Sequence, residues 1–147
     1  MRGVSLLLVA IVMNDELKSI VASLKTNPGA SEPTIAAMLK ELGVCLPEEY
    51  LDLLRFSNGA EGNLVSDDGP YIKFWPAEEI VSSNQEYGIR EDYPAVVIFG
   101  KNAATGAYGF DTNLSPMPVI EADFIDPEYY ERRGNDLLDF LKRKSSV

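Results

Sequence analysis

The sequence contains no histidine, and its only cysteine is Cys45. Without an imidazole, Ser-His-Asp and Cys-His catalysis and histidine-based zinc sites are excluded. A single cysteine also excludes an internal disulfide and a zinc site built on a cysteine cluster. Cys45 lies in an apolar stretch between Gly43 and Pro47. This setting favours a buried, unreactive thiol in a protein of a reducing compartment.

Basic residues are also scarce, since 13 Lys and Arg stand against 23 Asp and Glu, for a net charge of −10. This deficit argues against nucleic acid as a ligand, because phosphates must be neutralised by cations, and against anionic membrane surfaces. The charge is compatible with a basic protein partner, and equally with solubility alone. The length of 147 residues suits one domain that needs neither a metal nor a disulfide to fold.

Carboxylate chemistry is the catalytic class that these absences leave open, either as paired acids or as an all-oxygen metal site. Asp67-Asp68-Gly69 is the most metal-like motif, but it lacks the alternating ligands of a calcium-binding loop and is typical of a solvated turn. Glu48-Glu49 and Glu78-Glu79 fall at predicted helix starts, where the helix dipole favours acids. The sequence therefore predicts no catalytic residue, no metal and no cofactor. A carboxylate-dependent hydrolase is the remaining enzymatic alternative.

Residues 1–13 are predicted to form an apolar extension before a single domain at residues 14–144. The run from Val4 to Met13 is too short to span a membrane as a helix. It is similar to the apolar part of a signal peptide, but no small-residue cleavage site follows it. Met13 directly precedes a well-formed helix start, so we expect Met13 to be the native start and the protein to be cytoplasmic. Export of the protein is the alternative.

The first half of the chain predicts three helices. Asn14 and Ser31 are typical helix caps, and apolar residues follow each of them at helical spacing. Asn27-Pro28-Gly29 is expected to end the first helix and Gly43 the second. Pro47 is expected to open a third, largely buried helix that closes at Asn58-Gly59.

The second half changes to the pattern of a sheet. Residues 60–70 are rich in Gly, Asp, Asn and Ser and predict an exposed loop. A short helix over residues 77–87 and a final helix capped near Asn135 complete the pattern. Strands are predicted over residues 71–75, 95–99, 107–111 and 118–121, the last of these being the final strand. The order of the elements predicts an α+β fold, with N-terminal helices and a C-terminal helix packed on a mostly antiparallel sheet.

Several short motifs, in this order, resemble the SUKH superfamily, which includes the Smi–Knr cell-wall-assembly regulators of fungi. They cover residues 31–141, and each is degenerate by itself. The motifs are Leu42-Gly43-Val44-Cys45-Leu46-Pro47-Glu48-Glu49-Tyr50, Asn58-Gly59, Ile72-Lys73-Phe74-Trp75-Pro76-Ala77-Glu78-Glu79-Ile80, Val97-Ile98-Phe99-Gly100, Tyr108-Gly109-Phe110-Asp111 and Leu137-Leu138-Asp139-Phe140-Leu141. The resemblance implies a sheet of roughly six strands flanked by helices. In bacteria it implies an immunity protein that binds and neutralises a toxin, often a nuclease, without catalytic residues of its own.

Acidic residues dominate two segments of the chain. No basic residue occurs between Lys101 and Arg132, and the region from Glu61 to Asp92 is relieved only by Lys73 and Arg90. If the fold brings these segments together, they present a surface of one sign that speeds encounter with a basic partner. Aromatic side chains among the acids would supply affinity, and we expect Tyr129 and Tyr130 to be an exposed pair. Trp75 is more typical of a core residue.

These considerations define a set of candidate partner-binding residues: Asp67, Asp68, Trp75, Glu86, Glu91, Asp92, Asp111, Asp123, Tyr129 and Tyr130. The predicted function is that of an immunity protein that binds a basic, nuclease-type toxin through an acidic surface, as a monomer or weak dimer. The alternative from another functional class is a regulatory scaffold in a cell-envelope or signalling assembly.

Overall fold

A computed structural model describes residues 13–146, and the apolar run before Met13 lies outside the described residues. Within them the chain forms six helices and one sheet of seven strands. The helices are α1 (Asp15–Ala22), α2 (Glu32–Leu42), α3 (Glu48–Phe56), α4 (Ala77–Tyr87), α5 (Ile89–Asp92) and α6 (Leu137–Ser145). The strands are β1 (Lys25–Thr26), β2 (Ala60–Asn63), β3 (Tyr71–Phe74), β4 (Val96–Lys101), β5 (Gly106–Asp111), β6 (Val119–Asp123) and β7 (Tyr130–Gly134).

The sheet is an antiparallel meander whose strands lie in chain order from β1 to β7. The predicted α+β class is confirmed. The prediction of an exposed loop over residues 60–70 is wrong at its start, because residues 60–63 pair with β3. The prediction that the strand at 118–121 is the last is also wrong, since β7 pairs with β6 beyond it.

Local capping explains where most helices begin and end. The Asn14 carboxamide oxygen accepts hydrogen bonds from the backbone N–H groups of Glu16 and Leu17 at 2.8 and 3.2 Å, as its position predicted. Gly43 adopts the left-handed conformation that ends α2. The cap of α6 is Asp136 and not Asn135, because the Asp136 carboxylate accepts the N–H of Asp139 at 2.8 Å.

Helix α1 is shorter than predicted, since it ends at Ala22 and not next to Asn27. Lys25 and Thr26 instead pair with Glu61 and Ala60 to form the β1–β2 ladder. In the described residues, no helix has both the length and the apolar character that crossing a membrane requires.

The core on one side of the sheet is built from aromatic rings. Phe99 of β4 and Phe110 of β5 lie 4.8 Å apart between ring centroids, and Tyr50 of α3 meets Phe110 at 5.5 Å. Phe140 of α6 completes the group at 6.4 Å from Phe99. All four side chains are buried. Helices α3 and α6 are therefore fixed on the same face of the sheet.

Cys45 does not belong to this core. The expectation of a buried thiol is wrong, because Cys45 is exposed to solvent. Leu42 and Leu46 bury the apolar surface of this stretch instead. Cys45 lies in the connection between α2 and α3.

Asn58-Gly59 joins α3 to the sheet and also caps α4. The Asn58 amide oxygen accepts the N–H of Ala77 at 2.7 Å, which supplies the side-chain cap that Pro76 cannot give. Gly59 has a φ of 80°, a backbone conformation that suits glycine. This pair therefore fixes where α4 starts relative to the end of α3.

Candidate functional site

The two acidic segments of the sequence meet through aromatic side chains. Tyr87, the last residue of α4, stacks on Phe124 with ring centroids 4.2 Å apart. Tyr93, which follows α5, donates a hydrogen bond from its hydroxyl to the carbonyl of Pro127. The ends of α4 and α5 are thereby held against the loop of residues 124–129.

A second contact links the start of β7 to the far end of β5. The ring of Tyr130 lies 4.6 Å from that of Tyr93, and its hydroxyl donates to the Asp111 carboxylate at 3.4 Å. Ala107 and Ala122 occupy the same side of the sheet as Tyr130, so the ring has room to lie across it. Burial, and then the negative charge of Asp111, raise the pKa of Tyr130 to about 12. The hydroxyl therefore stays protonated and donates to Asp111 at neutral pH.

These contacts assemble a surface that we call the acidic face. It is rich in carboxylates that are exposed or half-exposed, and it carries Ile125, whose side chain is 76% exposed. Arg90 lies in the same stretch and donates to the carbonyl of Pro94. The carboxylates of the acidic face are Glu86, Glu91, Asp92, Asp111, Asp123, Asp126 and Glu128.

The loop that presents Ile125 is held by the side chain of Asp123. One carboxylate oxygen accepts the N–H groups of Ile125 and Asp126 at 2.8 and 3.0 Å, and the other accepts the hydroxyl of Thr105 at 2.8 Å. The two backbone donors, followed by Thr105, lower the pKa of Asp123 below its usual range. The loop is therefore ordered before any partner arrives, which reduces the entropy lost on binding.

Asp123 and five other predicted residues lie in the acidic face. Glu86 and Tyr87 are neighbours at the end of α4, Glu91 and Asp92 end α5, and Asp111 and Tyr130 are joined by their hydrogen bond. Phe124 and Ile125 were not predicted to belong to it. The apolar pair within Asp123-Phe124-Ile125-Asp126 is the sequence signal that could have indicated both.

The remaining four predicted residues lie elsewhere. Asp67 and Asp68 are exposed in the loop between β2 and β3. Trp75 is buried and stacks on Tyr87 at 5.7 Å, so it supports the acidic face from beneath. Tyr129 is half-buried, and its hydroxyl accepts a hydrogen bond from Arg133. Tyr129 and Tyr130 are not an exposed pair, because both side chains are half-buried and each hydroxyl has a partner within the protein.

The carboxylates that could serve a hydrolase have structural partners. Glu49 and Asp52 line one small pocket of about 270 Å³ beside Met13. Glu49 accepts the N–H of Leu137 at 2.9 Å, and burial followed by the charge of Asp136 raises its pKa. Asp52 is held at 2.7 Å by Arg55. Glu49 thus joins α3 to the start of α6, whereas the Asp52–Arg55 ion pair lies within α3.

The acids at helix starts also have structural partners, through ion pairs or hydrogen bonds. Glu48 and Glu32 both bind Arg55, each at 2.8 Å, and Glu78 accepts the amide of Asn58 at 2.7 Å. Among residues 13–146, no group of three or more Asp, Glu or Cys side chains is placed to hold a metal ion.

Comparison with protein families identifies a match over most of the described chain. The SMI1 / KNR4 family (SUKH-1) matches residues 29–143. The matched region runs from the residues before α2 into the last turn of α6, and it includes the whole acidic face. A search of curated proteins found no significant match.

Proposed function

Because the chain belongs to the SMI1 / KNR4 family (SUKH-1), we propose that it is a non-catalytic immunity protein that neutralises a toxin by stoichiometric binding. The acidic face is the observation that carries the proposal. It carries seven exposed or half-exposed carboxylates, together with aromatic rings and an exposed isoleucine. This arrangement suits a basic protein partner, with which the protein acts in the cytoplasm.

Charge and apolar contact have separate roles in this proposal. A surface of one sign accelerates encounter with an oppositely charged partner by about 10–10³-fold at low salt. Affinity comes mainly from a few apolar or aromatic groups that become fully desolvated. Ile125 is suited to that second role, because it projects from a loop that Asp123 holds in place.

A nuclease is the kind of toxin that such a face fits. A protein that cleaves nucleic acid needs a basic groove for phosphates. Carboxylates on a rigid surface can occupy that groove in place of phosphates, since they carry the same sign of charge. The bound immunity protein then excludes nucleic acid from the toxin.

The test is co-expression of this protein with the product of the neighbouring toxin gene. We expect the wild-type protein to restore growth and to co-purify with the toxin at one-to-one stoichiometry. The absence of a neighbouring toxin gene, together with the absence of a co-purifying basic protein, would contradict the proposal.

Two charge-reversed variants locate the binding surface. Asp126→Lys with Glu128→Lys alters the acidic face, and we expect it to abolish protection and to slow association by about tenfold or more. Asp67→Lys with Asp68→Lys changes the net charge equally but lies in the β2–β3 loop. This control should retain protection, and equal loss by both variants would show that only net charge matters.

A regulatory scaffold is the alternative, and pull-down from the native host distinguishes it. An immunity protein should return one partner whose capture depends on Asp126 and Glu128. A scaffold should return several partners, whose capture does not depend on these residues.

A further inference from the structure

Positive charge collects in a pocket on the side of the sheet opposite Tyr130. Tyr108 and Glu121 are register partners, and they alternate with Ala107 and Ala122, which share the side of Tyr130. We call this cavity of about 440 Å³ the basic pocket. Its polar lining comes mainly from Tyr108, Glu121, Arg132, Arg133, Arg143 and Lys144.

The carboxylates near the basic pocket neutralise only part of its charge. Glu121 accepts from Arg133 at 3.0 Å, and Asp139 accepts from Arg143 at 3.0 Å. Arg132 donates to the neutral amide oxygen of Asn135 at 3.0 Å. Among the residues from Met13 to Ser146, no carboxylate lies within ion-pair distance of Arg132 or Lys144. The pocket thus holds two cations more than the acids that pair within it.

Lys144 is half-buried against Tyr108. Its ammonium group lies 5.1 Å from the centroid of the Tyr108 ring and donates to the Tyr108 hydroxyl at 2.7 Å. Removal from water lowers the pKa of Lys144. A bound anion would offset this cost of desolvation. Because the Tyr108 oxygen accepts from Lys144, the hydroxyl proton is available to donate to such an anion.

The helix dipole accounts for only part of this arrangement. Arg143 and Lys144 lie in the last turn of α6, where the dipole favours cations. Arg132 and Arg133 belong to β7, where the register shift opposite Val119 and Ile120 interrupts the strand alternation, and both line the same cavity although no helix dipole favours them there. Two separate elements therefore direct cations into one concave space.

We propose that the basic pocket binds a small organic phosphate, a phosphate monoester. The charge of a phosphate dianion matches the excess of two cations, and guanidinium groups bind phosphate oxygens by paired hydrogen bonds. The cavity exceeds what a bare phosphate ion fills and falls within the range of small-molecule sites. Tyr108 and Phe140, each 2% exposed, line the cavity at its base.

The acidic character of the rest of the chain favours a compact ligand over a polyanion. At physiological salt, charges are screened beyond about 8 Å. An anion seated in the pocket is therefore shielded from the acidic face across the sheet. An extended nucleic acid would have to run past exposed carboxylates of a chain whose net charge is −10. The inference concerns a different surface from the acidic face and stands independently of the proposed function.

Calorimetric titration of the full chain with inorganic phosphate, ribose 5-phosphate and adenosine 5′-monophosphate tests the proposal. We expect saturable binding of at least one ester with a dissociation constant of about 1 mM or lower, and tighter than that of inorganic phosphate. Binding of none of the three, or of inorganic phosphate alone, would overturn it.

Three variants assign the binding to the pocket. Arg132→Gln and Lys144→Gln should each weaken ester binding by about tenfold or more, since each removes a charge-assisted hydrogen bond. Lys142→Gln removes the same charge from the same helix, but Lys142 pairs with Glu16 and does not line the cavity. Binding by this control should be unchanged, and weakening equal to that of Lys144→Gln would overturn the proposal. Arg132 is exposed, so its variant remains informative if Lys144→Gln fails to fold.

Discussion

Asn84 of α4 holds Ile98 of β4 by both of its backbone groups. The Asn84 amide oxygen accepts the Ile98 N–H at 2.9 Å, and its amide nitrogen donates to the Ile98 carbonyl at 3.0 Å and to the Ile80 carbonyl at 2.8 Å. Strand β3 pairs with β4 at Gly100 and Lys101, the Trp75 N–H donates to the Phe99 carbonyl at 3.1 Å, and the chain leaves the sheet at Pro76. The side chain of Asn84 therefore supplies the hydrogen bonds that a longer β3 would have made.

Replacement of Asn84 should be costly. Asn84→Ala leaves a buried N–H and a buried C=O of Ile98 without partners, and each such group costs about 1–3 kcal/mol. We expect the free energy of unfolding in urea to fall by about 2–4 kcal/mol. Gln85→Ala, at the next and exposed position, should change it by less than about 0.5 kcal/mol. A similar small change for Asn84→Ala would show that water replaces these bonds.

Gly59 and Gly43 separate two causes of destabilisation. Both have positive φ, 80° and 71°, but a Cβ at Gly59 would lie 2.8 Å from the backbone nitrogen of Pro76. A Cβ at Gly43 would have no described atom within 4 Å apart from those of its own stretch of chain. Gly43→Ala should cost about 1 kcal/mol, since only the left-handed backbone opposes it. Gly59→Ala should cost about 2–4 kcal/mol, because steric overlap is added. Thermal unfolding of both variants measures the difference, and equal losses would mean that Pro76 moves easily.

Asp139 should make stability depend on pH. Its carboxylate accepts the N–H of Asn135 at 2.8 Å and is paired with Arg143, and these contacts, in that order, lower its pKa in the folded protein. The folded state thus binds this proton less readily than the unfolded state. The stabilisation is present above the unfolded pKa of about 3.9 and is lost as pH falls through the folded pKa.

The variant Asp139→Asn isolates this contribution. We expect it to be less stable than the wild type at pH 7 and to approach the wild type as the pH falls below the unfolded pKa of about 3.9, measured by denaturation at each pH. A difference that is the same at all pH values would indicate that Asp139 acts through shape and not through charge.

The sequence predicted helices better than strands, and the reasons are local. Caps such as Asn14 and stops such as Gly43 act within one turn of chain, so they can be recognised from neighbours alone. Strand β7 reads Tyr-Glu-Arg-Arg-Gly and lacks apolar alternation, because it lies at an end of the described sheet with exposed charges. Strand β2 contains glycine and is specified by pairing with β3, which no local pattern reveals.

The acidic face and the basic pocket also differ in how far they can be predicted from the sequence. The acidic face was partly predictable, since its carboxylates cluster along the chain and their segments needed only to meet. The basic pocket was not predictable, because Tyr108, Arg132 and Lys144 come together only when β5, β7 and α6 are in place. Trp75 and Tyr129 show the same limit, since burial in the folded chain decides how much of a side chain is open to a partner.

The charges on the two sides of the sheet also act at a distance. The carboxylates of the acidic face and the uncompensated cations of the basic pocket together contribute an electric dipole across β5, β6 and β7. In the field of a strongly basic body it experiences a torque before any atoms touch. That torque turns Ile125 toward the approaching surface and the basic pocket away from it. The protein is therefore oriented before contact, and fewer encounters occur with the basic pocket facing the partner.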